Sequence, residues 1–194
     1  MAPGDALPDG LLDALTVCVA RSGLAGTTLE DVAREAGCSR ATLYRHFAGK
    51  VPLLAALAAR DGETIARELV AEARVASTLT DAVVAVVAGG VTALGEHPAL
   101  ARLLAEEPEV LLPYLSFAGQ TAFLAAAADR LAPAFTAFLP EPDAARLAEW
   151  VVRMTLSHLL CPSDRFDVAD AAQVRSGVDA FVVPGFLHRS EVHQ

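Results

Sequence analysis

The residues best placed to do chemistry form one short run, Ser39-Arg40-Ala41-Thr42-Leu43-Tyr44-Arg45-His46. Wound into a helix, this run turns Leu43 inward and leaves Arg40, Ala41, Thr42, Tyr44, Arg45 and His46 facing outward. A guanidinium pairs bidentately with guanine O6 and N7, a small side chain admits a thymine methyl, and hydroxyl and imidazole groups bond phosphates. The chemistry on offer is therefore recognition of double-stranded DNA. The chain contains no Gly-x-Ser-x-Gly elbow, phosphate-binding glycine loop or metal-spaced histidine pair, so no catalytic residue, metal or cofactor is expected.

A reading helix needs a frame. Thr28 is a natural N-cap, and Asp31 three residues on makes a near-capping box with Asp in place of Glu. Leu29, Val32, Ala33 and Ala36 recur at helical spacing, and Gly37, able to take positive φ, ends that helix. Ser39 then caps the short helix running to His46. Ahead of both, Leu11 to Arg21 forms a first helix with Leu11, Leu12, Leu15 and Val19 inward, stopped by Ser22-Gly23. After the break at Ala48-Gly49, a long helix spans Lys50 to Val75, with Pro52 tolerable in its first turn. Two short helices on a tight glycine turn have the geometry of a helix-turn-helix.

This stretch resembles the DNA-binding domain of TetR-family transcriptional regulators. The matching positions are Thr28, Val32-Ala33, Ala36-Gly37-Cys38-Ser39, Thr42-Leu43-Tyr44, His46, Phe47 and Lys50, within roughly residues 11–55. The resemblance implies that Thr28 and Lys50 hold backbone phosphates and that Ser39 caps the recognition helix or touches phosphate. It implies that Arg40 reads bases, with Ala41 and Thr42 near them, and that Tyr44 and His46 bond phosphates and set the helix depth. Cys38 stands where the family usually has Val, Ala41 where it has Gly or Pro, and Val51 where Glu is common. Asp5, Asp9 and Asp13 occupy the segment where many members carry basic residues, which predicts modest non-specific affinity.

The bulk numbers agree with a helical regulator. Of 194 residues, 54% are hydrophobic and 20% charged, enough to bury a sizeable core. Ala and Leu dominate while Ile and Tyr are scarce, so the expected fold is all-α, with about nine helices. The net charge of −9 is uneven. Residues 51–194 carry ten basic against eighteen acidic groups, whereas residues 32–50 carry four basic groups and one acid, Glu35. Phosphate contact needs such a local patch rather than a basic total. Cys18, Cys38 and Cys161 are far apart and read as reduced thiols. Met1 to Gly10 is a short acidic tail without the features of a secretory signal, so a cytoplasmic protein is expected.

The chain is expected to divide into a DNA-binding domain, residues 1–49, and a ligand-binding and dimerisation domain, residues 50–194. Within the latter, a helix fading at Gly95 starts at Thr80 or Asp81, short helices fill 99–107 and 110–131, and strong helices span 143–160 and roughly 168–183, the last closed by Pro184-Gly185. Val110 to Ala128 carries no formal charge but holds Pro113, Gln120 and Thr121. It reads as a buried helix beside a polar-spotted cavity rather than a membrane span. The apolar run Ala82 to Gly95 is too short to span. Tyr114, Phe117, Gln120, Thr121, Phe123 and Leu124, together with Trp150, Met154 and His158, have the mixed character of a ligand site. The expected effector is lipophilic, uncharged or weakly acidic: a fatty-acyl compound, steroid or hydrophobic drug. Helix 143–160 is apolar nearly all round and needs cover on two sides. The resemblance implies that it pairs, with the helix near 168–183, against a symmetry mate in a homodimer. A dimer would set two reading helices about one DNA turn apart on a near-palindromic operator. The competing reading is a helical small-molecule-binding protein or enzyme with a vestigial helix-turn-helix, and repressor and activator both remain open.

Overall fold

The computed structural model describes residues 6–110 and 121–186. Among them lie nine α-helices and no strand; the nearest thing to a strand pair is a single bridge between Ser163 and Phe166. The chain folds as two compact units.

The first unit holds α1 (Ala6–Gly26), α2 (Leu29–Glu35), α3 (Arg40–His46), the start of α4 (Lys50–Ala73) and α6 (Pro98–Glu106). Leu11, Leu15 and Val19 repeat along one side of α1 and are fully buried, against Val32 of α2, Leu43 of α3 and Leu53 of α4. Ala99 and Leu103 of α6 complete the same core. Helix α1 runs further in both directions than the expected Leu11–Arg21. Its final stretch is broken at Gly23, which adopts φ 70° and ψ 170°.

The local punctuation of α2 and α3 follows the sequence signals. The Thr28 hydroxyl accepts from the Asp31 amide at 3.1 Å, and the Asp31 carboxylate accepts from the Thr28 amide at 3.1 Å. This is a complete capping box with Asp in the Glu position. At the other end Gly37 sits at φ +66°. The Cys38 amide donates to the Ala33 carbonyl and the Gly37 amide to that of Arg34, the paired bonds of a Schellman stop.

The second unit holds the rest of α4, α5 (Leu79–Glu96), α7 (Thr121–Leu131), α8 (Glu141–Leu160) and α9 (Ala171–Gly177). Its core gathers Val83 and Val87 of α5, Phe135 after α7, Leu147 and Val151 of α8, and Val174 of α9. Three details differ from expectation. The cap of α5 is Thr78, whose hydroxyl accepts from the Asp81 amide at 3.1 Å and donates to its carboxylate at 2.7 Å. The start therefore lies earlier than Thr80, because Thr78 has a carboxylate three residues on to complete its cap. Helix α5 is also longer than the run from Ala82 to Gly95. At 18 residues it is long and apolar enough to cross a membrane by composition, while Ala82, Val83, Val86 and Val87 face the core. Finally, the last helix continues past Pro184. A wide π turn spans Val178–Val182, closed by the Val183 amide on the Val178 carbonyl, and helical backbone follows to Phe186. A proline ring clashes with the carbonyl four residues back in a regular α-turn, and the wider turn stands just ahead of it.

Candidate nucleic-acid interface

Helix α3 has one buried residue, Leu43; Arg40, Ala41, Tyr44, Arg45 and His46 are exposed and Thr42 is half-buried. Positions 40, 41, 44 and 45 fall on one helical face as a single strip, while Thr42 and His46, also expected outward, lie off that strip. Ser39 caps the helix by accepting from the Thr42 amide at 3.1 Å, and its hydroxyl lies 2.9 Å from that of Thr42. Phe47, half-buried, packs on the core of the first unit and anchors the helix end.

Arg40 is not idle in the free protein. Its guanidinium lies 3.3 Å from the Glu30 carboxylate on α2, with both side chains more than half exposed. A hydrogen bond with Tyr44, then the charge of Glu30, raises the Arg40 pKa above its ordinary value. The pair holds Arg40 back toward α2, and Glu30 adds a negative charge where phosphates would approach. Exposed ion pairs are weak, so a duplex can replace Glu30 as the partner. Glu30→Gln is therefore expected to tighten binding to unrelated duplex DNA several-fold while leaving the order of preferred sequences unchanged, read by titration at low salt.

Thr28 is exposed, but its hydroxyl donates to Asp31 at 2.5 Å and accepts from the Asp31 amide. The bonds from Thr28, followed by the charge of Arg34, hold the Asp31 carboxyl below the usual carboxylate range. Lys50 already has partners in the free protein. Its ammonium donates to the Leu24 carbonyl and, at 2.6 Å, to the Thr27 carbonyl. Burial pushes its pKa down, and the Glu107 charge opposes that shift. In the free protein the side chain ties the α1–α2 turn to α4. Carbonyls at a helix end lack partners within the helix, which is why a nearby lysine is drawn to them.

Two residues that sequence reasoning missed complete this turn. Glu107, just past α6, accepts from the amides of Leu24 and Ala25, both at 3.0 Å. Gly23 makes room for it, since a Cβ at that position would overlap Glu107 Oε1. Ser22-Gly23 reads as a helix stop, but nothing near it in sequence announces a carboxylate 83 residues beyond Leu24. The α1–α2 turn that presents Thr28 is thus clamped from two sides, by Lys50 on its carbonyls and by Glu107 on its amides.

The expected ligand-site residues are not gathered into one lining among the described residues. Tyr114, Phe117 and Gln120 lie outside them, as does the Thr121 side chain at the start of α7. Leu124 is in the core of the second unit, Met154 packs against it half-buried, and Phe123 is exposed. The His158 ring lies 5.0 Å from that of Phe166. Trp150, expected in a cavity, instead lines an open surface groove of about 270 Å³ with Arg146, Phe181, Val182, Gly185 and Phe186. A helix that is apolar all round cannot hide every large side chain in its own chain, so its surplus faces outward.

The model of "Bacterial regulatory proteins, tetR family" matches residues 11–57, and that of "Bacterial Tetracyclin repressor, C-terminal domain" matches residues 75–178. An uncharacterised HTH-type transcriptional regulator of Mycobacterium tuberculosis is 30% identical over 179 residues, covering 91% of this chain and 83% of the relative. Among solved structures, the fold is similar to the TetR family repressor AlkX from Dietzia sp., described as implicated in biodegradation of n-alkanes, with TM-score 0.73, 23% identity and 96% of each chain covered. It is also similar to FadR from Bacillus subtilis in complex with stearoyl-CoA, with TM-score 0.61, 16% identity and coverage of 88% of this chain and 97% of that one.

Proposed function

Because the chain belongs to the TetR family of bacterial regulatory proteins, a family of DNA-binding regulators and not enzymes, we propose that it is a ligand-responsive repressor. In this reading it binds a near-palindromic operator as a homodimer and is released by a lipophilic small molecule. The observation that carries the DNA half is the strip of α3, Arg40, Ala41, Tyr44 and Arg45, held outward by the Ser39 cap and the buried Leu43. Arg40 is the base reader; Ala41 and Thr42 lie beside the bases; Ser39, Tyr44, His46, Lys50 and the capped start of α2 at Thr28 meet phosphates. DNA contact belongs to residues 1–49 and sensing and dimerisation to residues 50–194, with α6 packed on the former.

The dimer reading rests on Trp150 and Phe181, 39% and 86% exposed, which stand with Phe186 on one groove of α8 and the last helix. Large exposed aromatics of this kind mark an association surface. Phe181→Glu is expected to shift the protein to monomer in sedimentation and to weaken operator binding by at least about tenfold, since a lone reading head loses its partner's half-site. The effector reading rests on the uncharged stretch Val110 to Ala128.

Selection of bound sequences from random duplex DNA, followed by titration at two salt concentrations, tests the function. The expected result is a two-fold-symmetric site whose affinity falls steeply as salt rises, through counterion release. A protein that enriched no sequence and bound without salt dependence would be a helical binding protein with a vestigial head.

A further inference from the structure

Among the described residues, two buried polar atoms of α8 have no hydrogen-bond partner: Thr155 Oγ1 and His158 Nδ1. They lie three residues apart, which places them on one face of the helix within a single turn. Thr155 is only 6% exposed, and it shares its helix with the core residues Val151 and Val152. The His158 imidazole leans on Phe166 at an interplanar angle of 47°. Phe166 in turn lies against Gly177, where a Cβ would come within 3.0 Å of its ring. An apolar wall of Phe166, seated by a glycine of α9, therefore stands beside the His158 ring, within a helical turn of the Thr155 hydroxyl. A buried hydroxyl or ring nitrogen left unpaired costs roughly 1–3 kcal/mol, and nearly all such groups in folded proteins are satisfied.

We propose that Thr155 and His158 form the polar end of the effector site and bind a neutral hydroxyl group on an otherwise apolar molecule. This deepens the lipophilic-effector reading above and rests on it. A hydroxyl offers one donor and two acceptor lone pairs, matching a threonine hydroxyl on one side and an imidazole nitrogen on the other. A carboxylate would have only the His158 imidazole to pair with, whereas a hydroxyl meets the same nitrogen with no charge to bury. The arginines of the same helix are committed elsewhere, Arg146 to Asp143 at 3.2 Å and Arg153 to Glu149 at 2.8 Å. The effector class is thus an aliphatic alcohol or a hydroxylated polycycle rather than a fatty acid or a bare hydrocarbon.

The test measures binding of 1-dodecanol, dodecanoic acid and dodecane to the full-length protein by calorimetry and thermal shift, with wild type, Thr155→Val and His158→Phe. The alcohol is expected to bind wild type about tenfold more tightly than either other compound and to lose about tenfold in each variant, one hydrogen bond being worth about that factor. The ligand-free Thr155→Val protein is expected to melt no lower than wild type, since the change removes an orphan hydroxyl and keeps the shape; this separates loss of binding from loss of fold. Equal binding of alcohol and alkane, or alcohol affinity unchanged in both variants, overturns the hydroxyl subsite and leaves the lipophilic reading standing. If none of the three binds wild type, the lipophilic-effector reading falls together with the subsite.

Discussion

Gly23→Ala is expected to destabilise the first unit by about 3 kcal/mol and to lower operator affinity in parallel. Gly23 holds φ 70° and ψ 170°, a backbone region essentially confined to glycine, which costs alanine about 1–3 kcal/mol. Its new methyl also collides with the Glu107 carboxylate, which accepts from the Leu24 and Ala25 amides. Hydrogen bonds to a charged group contribute about 1.5–3 kcal/mol each, so disturbing the pair accounts for the remainder. The two sources separate in a double-mutant cycle. Adding Glu107→Ala removes the collision, so the double variant should lose less than the sum of the singles. Strict additivity in thermal melts would mean that the glycine is needed for its backbone conformation alone.

Leu103→Ala is the second large effect, at about 2–5 kcal/mol for truncating a buried leucine. Leu103 is 2% exposed and shares a core with Leu15, Val32 and Leu43, although it lies far along the chain from all three. The substitution removes no side chain that meets DNA, yet operator binding should weaken, because α3 rests on that core through Leu43. Amide exchange should locate the damage: faster exchange over α1 to α3, and little change at core positions of the second unit such as Leu147, Val151 and Val174. Unchanged exchange in α1 to α3 would show that α6 is not needed to hold the reading head.

These two residues also mark where the sequence stops being legible. The helix-turn-helix is readable because its signals are local: Thr28 and Asp31 are three residues apart, Gly37 closes its own helix, and Ser39 caps the next. Each of those bonds closes within a turn or so of its own helix, and residue type alone nearly dictates it. The Glu107 clamp is different. A glutamate after a short amphipathic helix has many partners open to it, and only the packing of Ala99 and Leu103 onto α1 delivers it to Leu24. Lys50 shows the same limit. Its type and place fit a phosphate contact, and nothing local to it shows that the fold also sets the Leu24 and Thr27 carbonyls within its reach. Glu30 reads as ordinary solvated charge until the turn brings it to Arg40, ten residues on.

In the second unit the apolar periodicity of α8 is legible, and its division between core and surface is not. Leu147 and Val151 go to the core while Trp150 stays at 39% exposure. A helix that is apolar all round carries no internal sign of which face meets its own chain. The π turn at Val178–Val182 is likewise unreadable, since Pro184 ahead of a glycine is the ordinary sign of an ending.

The central claim is that the exposed strip of α3, with Arg40 as its base reader, chooses the DNA. The most direct measurement compares the sequence preference of wild type and Arg40→Ala over one random duplex library. Loss of preference is predicted at one symmetry-related pair of positions, each with roughly ten- to hundredfold weaker discrimination for guanine, while the remaining positions and the salt dependence stay close to wild type. An Arg40→Ala protein that selected the same sites with the same ranking would contradict the account.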